Sequence, residues 1–556
     1  MYIRTVTAKG TKYVQLAHNT RDPETGVTKP TILYSFGRAD QLDLDALRRL
    51  VKSIARFLEP EEAARIEETL GLETGFEYLG SRHLGGTWFL DALWKKLGVG
   101  GALERLLTDR RFRTPVERLI FAMVANRALA PSSKLAVEDW VADEVLIPGL
   151  VAVEVHQLYR AMDFLLEAGQ QIQHDVFFSV AHLFNLECDL IFLDTTTTYF
   201  EIDREDPDEE AVEGLRKRGH SKDGRSGAAQ VVIGWAVTRG GIPVRCWVWP
   251  GNSADQNLVE EVKRDLNGWR LGRIITVLDA GFNSEENRRV LQGAGDHYII
   301  GEKLRQGRAG LPVEALRRGG TYRRLDDKLE IKEVTVGDGP TRQRFVVVRN
   351  PQEAERDRTQ RTEIVAEVER RLAEIQQLDG APHKKSACAL RAHPTFGRYV
   401  RQTKTGRLQV NRDKIRQEER LDGKFLIRVS DDQLSAEDAV RGYKQLWQIE
   451  RVFRDLKHVV DIRPIHHRLE DRIRAHVLLC WLAMLLIRVA ENEAGQTWHR
   501  IHRQLRQLEV GIHQTRSGEV RQTNRPTDDL ERLFDTLDLK LPPRYLAIPV
   551  LRPTSA

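Results

Sequence analysis

The chain has 556 residues, 41% hydrophobic and 30% charged. That apolar content can fill several cores and excludes wholesale disorder, and the length corresponds to roughly three or four domains. The 86 Lys and Arg against 81 Asp and Glu give +5 at neutral pH, which admits a nucleic-acid partner without by itself demanding one.

Residues 1–40 alternate around the turn-rich NTRDPETG and read as a β-hairpin or small sheet. Residues 41–186 read as an α-helical, DNA-binding domain. A helix is expected over Asp43 to Leu58 and more helices from Glu77 onward. Phe89, Leu90, Leu93, Trp94 and Leu97 form one apolar face, and Val116, Leu119, Ile120, Met123 and Val124 another. The character changes at Asp189. LIFLD, QVVIGWAV, VRCWVW, RIITVLD and HYII are buried-type strands interleaved with helices, so residues 187–301 predict an α/β unit with a partly parallel sheet. Residues 302–425 carry short strands, a highly charged helix and a Gly-, Lys- and Arg-rich stretch, and predict a β-rich, basic insertion. Residues 426–495 resume the α/β pattern with KFLIRV and two long helices, about 435–460 and 468–493. Residues 496–556 read as a basic C-terminal tail.

The run from Ala475 to Ala490 contains Arg488; it is short for a membrane span and reads as a buried helix. MYIRTVTAKG has no apolar leader, and Cys188, Cys246, Cys388 and Cys480 form no Cys-x-x-Cys pair. The expectation is a soluble, cytoplasmic protein with neither disulfides nor cysteine-bound zinc. The histidines have no metal-ligand spacing, and no Gly-x-x-x-x-Gly-Lys phosphate loop occurs.

Three carboxylates carry the chemical argument. Asp194 closes LIFLD and Asp279 closes ITVLD. Open α/β sheets bind ligands at the carboxyl ends of strands, so two such strands side by side would bring both acids to one rim. Capping the following turn is the ordinary alternative for either. Glu450 lies in EDAVRGYKQLWQIERVFRDLKHVV, where Tyr443, Glu450 and Lys457 recur every seven residues. They drift only about 20° per step and so line one helix face; a solvated face with local Glu–Lys pairing is the alternative. Two Asp and one Glu without His or Cys make an oxygen-only site suited to Mg²⁺ or Mn²⁺. Two such ions can activate a water or 3′-hydroxyl and stabilise the leaving oxygen of a phosphodiester. The phenol and ammonium beside Glu450 would hold the phosphate backbone.

These residues resemble the DDE transposases of bacterial insertion sequences, in particular the group marked by Tyr-(2)-Arg-(3)-Glu-(6)-Lys. Here the positions are Tyr443, Leu446, Glu450 and Lys457; Leu446 departs from the Arg of the signature, with Arg451 and Arg454 close by. LDTTTTYFE, GHSKDGR, PGNSADQNL and LDAGFNSEEN are also similar to that group's acidic blocks, and the order of two Asp blocks, a long insertion and a Glu helix is the same. The resemblance covers the chain to about residue 490. It implies a multidomain α/β fold with an RNase H-like mixed sheet flanked by helices. It implies Asp194, Asp279 and Glu450 as catalytic residues holding two Mg²⁺ or Mn²⁺ ions. Phosphate contacts would come from Tyr443, Lys457, Arg454, Lys222, Arg225 and His220, with Asp223 as a helper. The implied reaction is nicking at element ends followed by strand transfer. The implied partner is double-stranded DNA, both terminal inverted repeats and target, held by a homodimer in a synapse associated with the nucleoid.

Basic clusters fit that partner. Arg216 to Lys222, with Arg225, could grip phosphates, or form a mobile charged loop. Arg401, Lys404 and Arg407 are DNA-contact candidates. Tyr399 beside them could stack on a displaced base, although core packing is the commoner fate of a single aromatic. Arg105, Arg110, Arg111, Arg113, Arg118 and Arg127 offer either a DNA-reading surface or a solvated helical face. Competing readings are a simpler RNase H-like nuclease or resolvase, a catalytically inactive DNA-binding derivative, and a two-carboxylate glycosidase. The basic loops beside the acids disfavour the last.

Overall fold

The computed structural model describes residues 1–21, 26–55, 57–58, 62, 66, 76–108, 110, 112–184, 186, 189–201, 204–208, 213–225, 227–269, 273–304, 311–515 and 518–546. Arg111 and Cys188 lie outside them. The chain divides into two compact units.

One unit comprises Met1–Ser81, Gly511–Gln522 and Tyr545–Val550. Here β1 (Tyr2–Ala8), β2 (Thr11–Arg21) and β3 (Thr28–Arg38) form an antiparallel meander, one strand more than a hairpin. Lys9 and Gly10 both take positive φ at the first turn, as tight two-residue hairpin loops require. Helix α1 (Leu44–Ala55) follows. The helices expected from Glu77 onward are replaced at first by a strand, β4 (Phe76–His83). FEYLGSRH has no helical period, and its Gly80 sits at φ 144. β4 belongs to a four-stranded sheet with Glu509–Thr515, Gly518–Thr523 and Tyr545–Leu546. Among the described residues, the region after residue 496 therefore forms helices and strands rather than a tail.

The other unit, Arg82–Val510 with Thr523–Arg544, holds the helical region and a nine-stranded sheet. The helices α2 (Gly85–Lys96), α3 (Val99–Leu107), α4 (Val116–Leu129), α5 (Val155–Glu167) and α6 (Gly169–Leu183) bury the two apolar faces read from the sequence. The sheet contains β5 (Leu190–Tyr199), β6 (Gln230–Thr238), β7 (Pro243–Pro250), β8 (Ile275–Leu278), β9 (His297–Gly301), β10 (Arg323–Arg324), β11 (Glu330–Val336), β12 (Gln343–Arg349) and β15 (Lys424–Val429), β13 (Val400–Gln402) and β14 (Leu408–Val410) forming a separate hairpin. Its order is β10-β11-β12-β15-β9-β8-β5-β6-β7. Only the β5–β8 and β8–β9 pairings are parallel.

The expected β-rich insertion is corrected on two counts. Its strands β11 and β12 extend the main sheet, because β12 pairs along its length with β15. What remains between β12 and β15 is mainly helical, with α9 (Pro351–Gln376), Gly380–Ala392 and Arg412–Glu419 around the small β13–β14 hairpin.

Strand residues alternate between two cores, as period-2 geometry requires. Leu190, Phe192, Val231, Ile233, Trp235, Ile275 and Val277 face one core, and Ile191, Leu193, Val232, Ala236 and Leu278 face the other. The first face is covered by α10 (Ala436–Lys444), α11 (Trp447–His458) and α12 (Glu470–Ala494), the second by α7 (Val259–Asn267) and α8 (Glu285–Gln292). α12 is long and apolar enough to cross a membrane, but 94% of its apolar window is buried inside the unit. Its Arg488 is paired with Glu491 at 2.5 Å and Asp455 at 3.0 Å.

The single helix expected over 435–460 is two. Leu446 N donates to Tyr443 O and Gln448 N to Gln445 O, at 3.1 and 2.9 Å. These i→i−3 bonds make a tight turn where the helix would continue. α10 packs on β8, β9 and β15, whereas α11 packs on β5 and β6. Ile449, Val452, Phe453 and Leu456 form the buried stripe of α11. Leu456→Ala should cost about 2–5 kcal/mol, the usual range for a buried leucine, seen as a lower urea midpoint by circular dichroism.

Candidate active site

Asp194 is not at the end of its strand. β5 runs on through Thr195 to Thr198, all buried, and ends at Tyr199. The neighbour β8 is shorter: Leu193 pairs with Leu278, and Asp279 follows as the strand ends. Asp194 and Asp279 are therefore next to one another on adjacent parallel strands, about 4.8 Å apart in backbone spacing. By alternation both lie on the face of Phe192 and Val277, towards α10 and α11.

A third acid, Asp255, comes from the single turn Asp255–Asn257. Thr195 Oγ1 donates to Asp255 Oδ1 at 2.5 Å. Lys222 enters from the loop between β5 and β6. Its Nζ lies 3.8 Å from Asp194 Oδ1 and 3.3 Å from Asp255 Oδ2, and it donates to Thr195 O at 2.9 Å and to Thr195 Oγ1 at 2.6 Å. Burial pushes the Asp194 carboxyl up to about 6, and the charges of Asp255 and Asp279 add to the rise. Lys222 and the Thr195 N–H, which donates to Asp194 Oδ1 at 2.7 Å, oppose it.

Tyr443 reaches the same rim from the end of α10. Its hydroxyl is 3.4 Å from Asp279 Oδ1, and its ring stacks on Phe425 with centroids 5.8 Å apart. Burial raises the phenol's pKa, and Asp279 and then Glu450 raise it further. A Cβ on Gly301 would stand 2.2 Å from the Tyr443 hydroxyl, so this close approach requires glycine there. Glu450 is exposed on the first turn of α11. Among the described residues, no three His, Cys, Asp or Glu side chains are grouped closely enough to hold one ion. The donors at the rim are nonetheless all oxygens, the kind that suits a hard divalent cation, and Lys222 supplies a positive charge among them.

The other expected residues divide. Lys457 is 2.7 Å from Asp223 Oδ1, and Arg463 donates to the same oxygen. Asp223 is buried and its second oxygen has no partner. Arg225 lies over the Tyr199 ring at 4.3 Å. His220 and Arg454 are exposed. The basic loop is tied to its neighbours: Lys217 bridges to Gln230, and a Cβ on Gly219 would stand 2.2 Å from Gly251 O. Arg216 and Lys217 are paired with Asp206 and Asp208. Arg401 is 3.2 Å from Asp413, and Lys404 and Arg407 are exposed around the β13–β14 turn.

Tyr399 is core, not a stacking surface; it is 1% exposed and bonded to Glu418. Arg118 and Arg127 are structural as well. Arg118 is held by Glu117 and Asp91, and Arg127 is buried against the carbonyls of Val460 and Asp461. Arg110 pairs with Glu167. Leu446 is half-buried in the turn between α10 and α11, and Arg451 is held by Glu491 at 3.0 Å. Asp255 was placed near the rim only through the resemblance of PGNSADQNL to the family's acidic blocks, and Thr195 was not read as part of the site. PGNSADQNL marks a turn, and nothing in it shows that the turn folds over β5.

A family model described as the transposase DDE domain matches residues 200–486, just over half of the chain. A second, described as the N-terminal domain of IS1634 family transposases, matches residues 3–65. No curated protein matches the chain in sequence. A solved structure of the piggyBac transposase synaptic complex with hairpin DNA aligns over 76% of this chain and 79% of its own, at 9% identity and a TM-score of 0.34. That likeness is too weak to identify a shared fold.

Asp194 has a raised carboxyl pKa, so the folded state holds a proton that the unfolded state releases as pH climbs from about 4 to 6. Its ionisation thus costs stability that is fully felt above that window. With chelator present, Asp194→Asn should raise the melting temperature at pH 7.5, by up to about 3 kcal/mol in free energy. The gain should vanish near pH 4 in a calorimetric pH series.

Proposed function

The chain belongs to the DDE transposases of insertion sequences and acts in DNA transposition, and from that premise we propose that it cleaves DNA at element ends and transfers those ends to target DNA by metal-dependent phosphodiester chemistry. One observation carries the site assignment: the β5–β8 register sets Asp194 beside Asp279 on the sheet face that α11 covers with Glu450. The order β7-β6-β5-β8-β9, three antiparallel strands followed by two parallel ones, supports an RNase H-like core. In this reading residues 187–301 and 426–495 supply the two parts of that core, with 41–186 and the segment 302–425 serving DNA.

Asp194, Asp279 and Glu450 are the residues that would hold Mg²⁺ or Mn²⁺. Bound there, a pair of ions would activate a water or 3′-hydroxyl and stabilise the leaving oxygen. Tyr443 orients Asp279 through its hydroxyl. His220, Arg225 and Arg454 are exposed, and in this reading they would supply phosphate contacts. Lys457 reaches a phosphate only after exchanging its pairing with Asp223. Two element ends must meet for transfer, so a homodimer is expected in the synapse, on terminal inverted repeats.

A second reading, an inactive DNA-binding derivative, is favoured by Leu446: no arginine takes the signature position, and Arg451 is already held by Glu491. The test is end-labelled DNA carrying the flanks of the element, incubated with Mg²⁺, Mn²⁺ or chelator. Metal-dependent nicking at the ends, lost in Asp279→Ala, is expected. Specific binding without cleavage in either metal would establish the inactive derivative, and absence of specific binding would overturn the reading.

A further inference from the structure

Lys222 was expected to grip DNA, yet its ammonium lies among the acids. It approaches Asp255 Oδ2 at 3.3 Å and Asp194 Oδ1 at 3.8 Å. Its two hydrogen bonds to Thr195 aim it along β5. The backbone on either side is fixed. Lys222 N donates to Thr197 Oγ1 at 2.9 Å, and the next residue, Asp223, is buried under Lys457 and Arg463. The side chain itself is 32% exposed.

Crowded carboxylates repel one another, and a cation between them offsets that repulsion. An ammonium 3.8 Å from Asp194 Oδ1 competes with a divalent ion bound to that carboxylate, because the two cations repel at short range. Resting on the transposase reading above, we propose that Lys222 sets the divalent-ion affinity of the site and couples it to DNA. Its ammonium lies between Asp194 and Asp255, leaves when Mg²⁺ or Mn²⁺ binds at Asp194 with Asp279 and Glu450, and then pairs with a phosphate of the bound strand. Metal and DNA binding then favour each other, as reciprocal linkage requires.

The test uses the full chain and its Lys222→Met, Lys222→Arg and Asp279→Ala variants. Mn²⁺ affinity is read by titration calorimetry without DNA. Lys222→Met should bind Mn²⁺ at least about tenfold tighter, a shift worth roughly 1.4 kcal/mol, whereas Lys222→Arg should stay close to the parent. Damage to a merely structural residue would weaken binding, the opposite sign. In the second arm, Ca²⁺ is added to DNA-binding titrations at several salt concentrations. Ca²⁺ should steepen the salt dependence of the parent by about one phosphate contact and leave that of Lys222→Met unchanged. Unchanged or weaker Mn²⁺ binding by Lys222→Met overturns the proposal, provided that the parent binds Mn²⁺ and Asp279→Ala does not. If the parent itself binds no Mn²⁺, the proposal and the metal-site assignment fall together.

Discussion

Three carboxylates held within one another's field are the constraint around which the rim is built. β5 and β8 must run parallel in one register for Asp194 and Asp279 to be neighbours, and Asp255 is drawn in by the hydroxyl of Thr195. Burial and mutual repulsion both penalise that arrangement, which is why the Asp194 proton is held more tightly than in water. The positive charge of Lys222 is the nearest compensation. The threonine run after LIFLD has a purpose in this light. Thr195 links two acids and the lysine, and Thr197 fixes the backbone of the loop that carries it.

That loop faces two ways. Lys222 points to the acids of the sheet, and Asp223 points to Lys457 at the far end of α11 and to Arg463 beyond it. Two adjacent residues of opposite charge thus tie β5 to the helix that bears Glu450. A buried acid bonded to two cations is expensive to disrupt by removing one partner, so the loop is a structural joint as well as a source of charge. The Tyr–Glu–Lys line seen in the sequence accordingly splits into three environments. Tyr443 is with Asp279, Glu450 is in solvent and Lys457 is with Asp223.

Much of this was legible before any coordinates. The short apolar runs LIFLD and ITVLD gave the two strands, although only Asp279 stands at a strand end, the other strand running on past Asp194 to Tyr199. Periodicity gave the buried faces of α2 and α4, where Phe89, Leu93, Leu119 and Met123 are all fully covered. The failures have physical causes. Gln445 and Leu446 are good helix formers, so periodicity read straight through a break that tertiary packing imposes on two different sets of strands. Asp223 and Lys457 are 234 residues apart, and no local pattern encodes such a pair. Tyr399 sits among arginines in sequence, but its ring is sealed beneath Glu418 and the neighbouring helix. Strands β11 and β12 looked like a separate insertion because nothing local says that β12 will pair with β15.

The chain order of these parts has a consequence for how the site is made. During synthesis from the N-terminus, β5, the loop with Lys222, Asp255 and β8 have all been made once Asp279 has been added. Glu450 lies 171 residues further on, a delay of roughly 9–34 s at about 5–20 residues per second. For that interval the helix that bears Glu450 has not yet been made. Lys222 is encoded between Asp194 and Asp279, so the cation that lies beside Asp194 and Asp255 in the finished rim is made before the helix that carries Glu450.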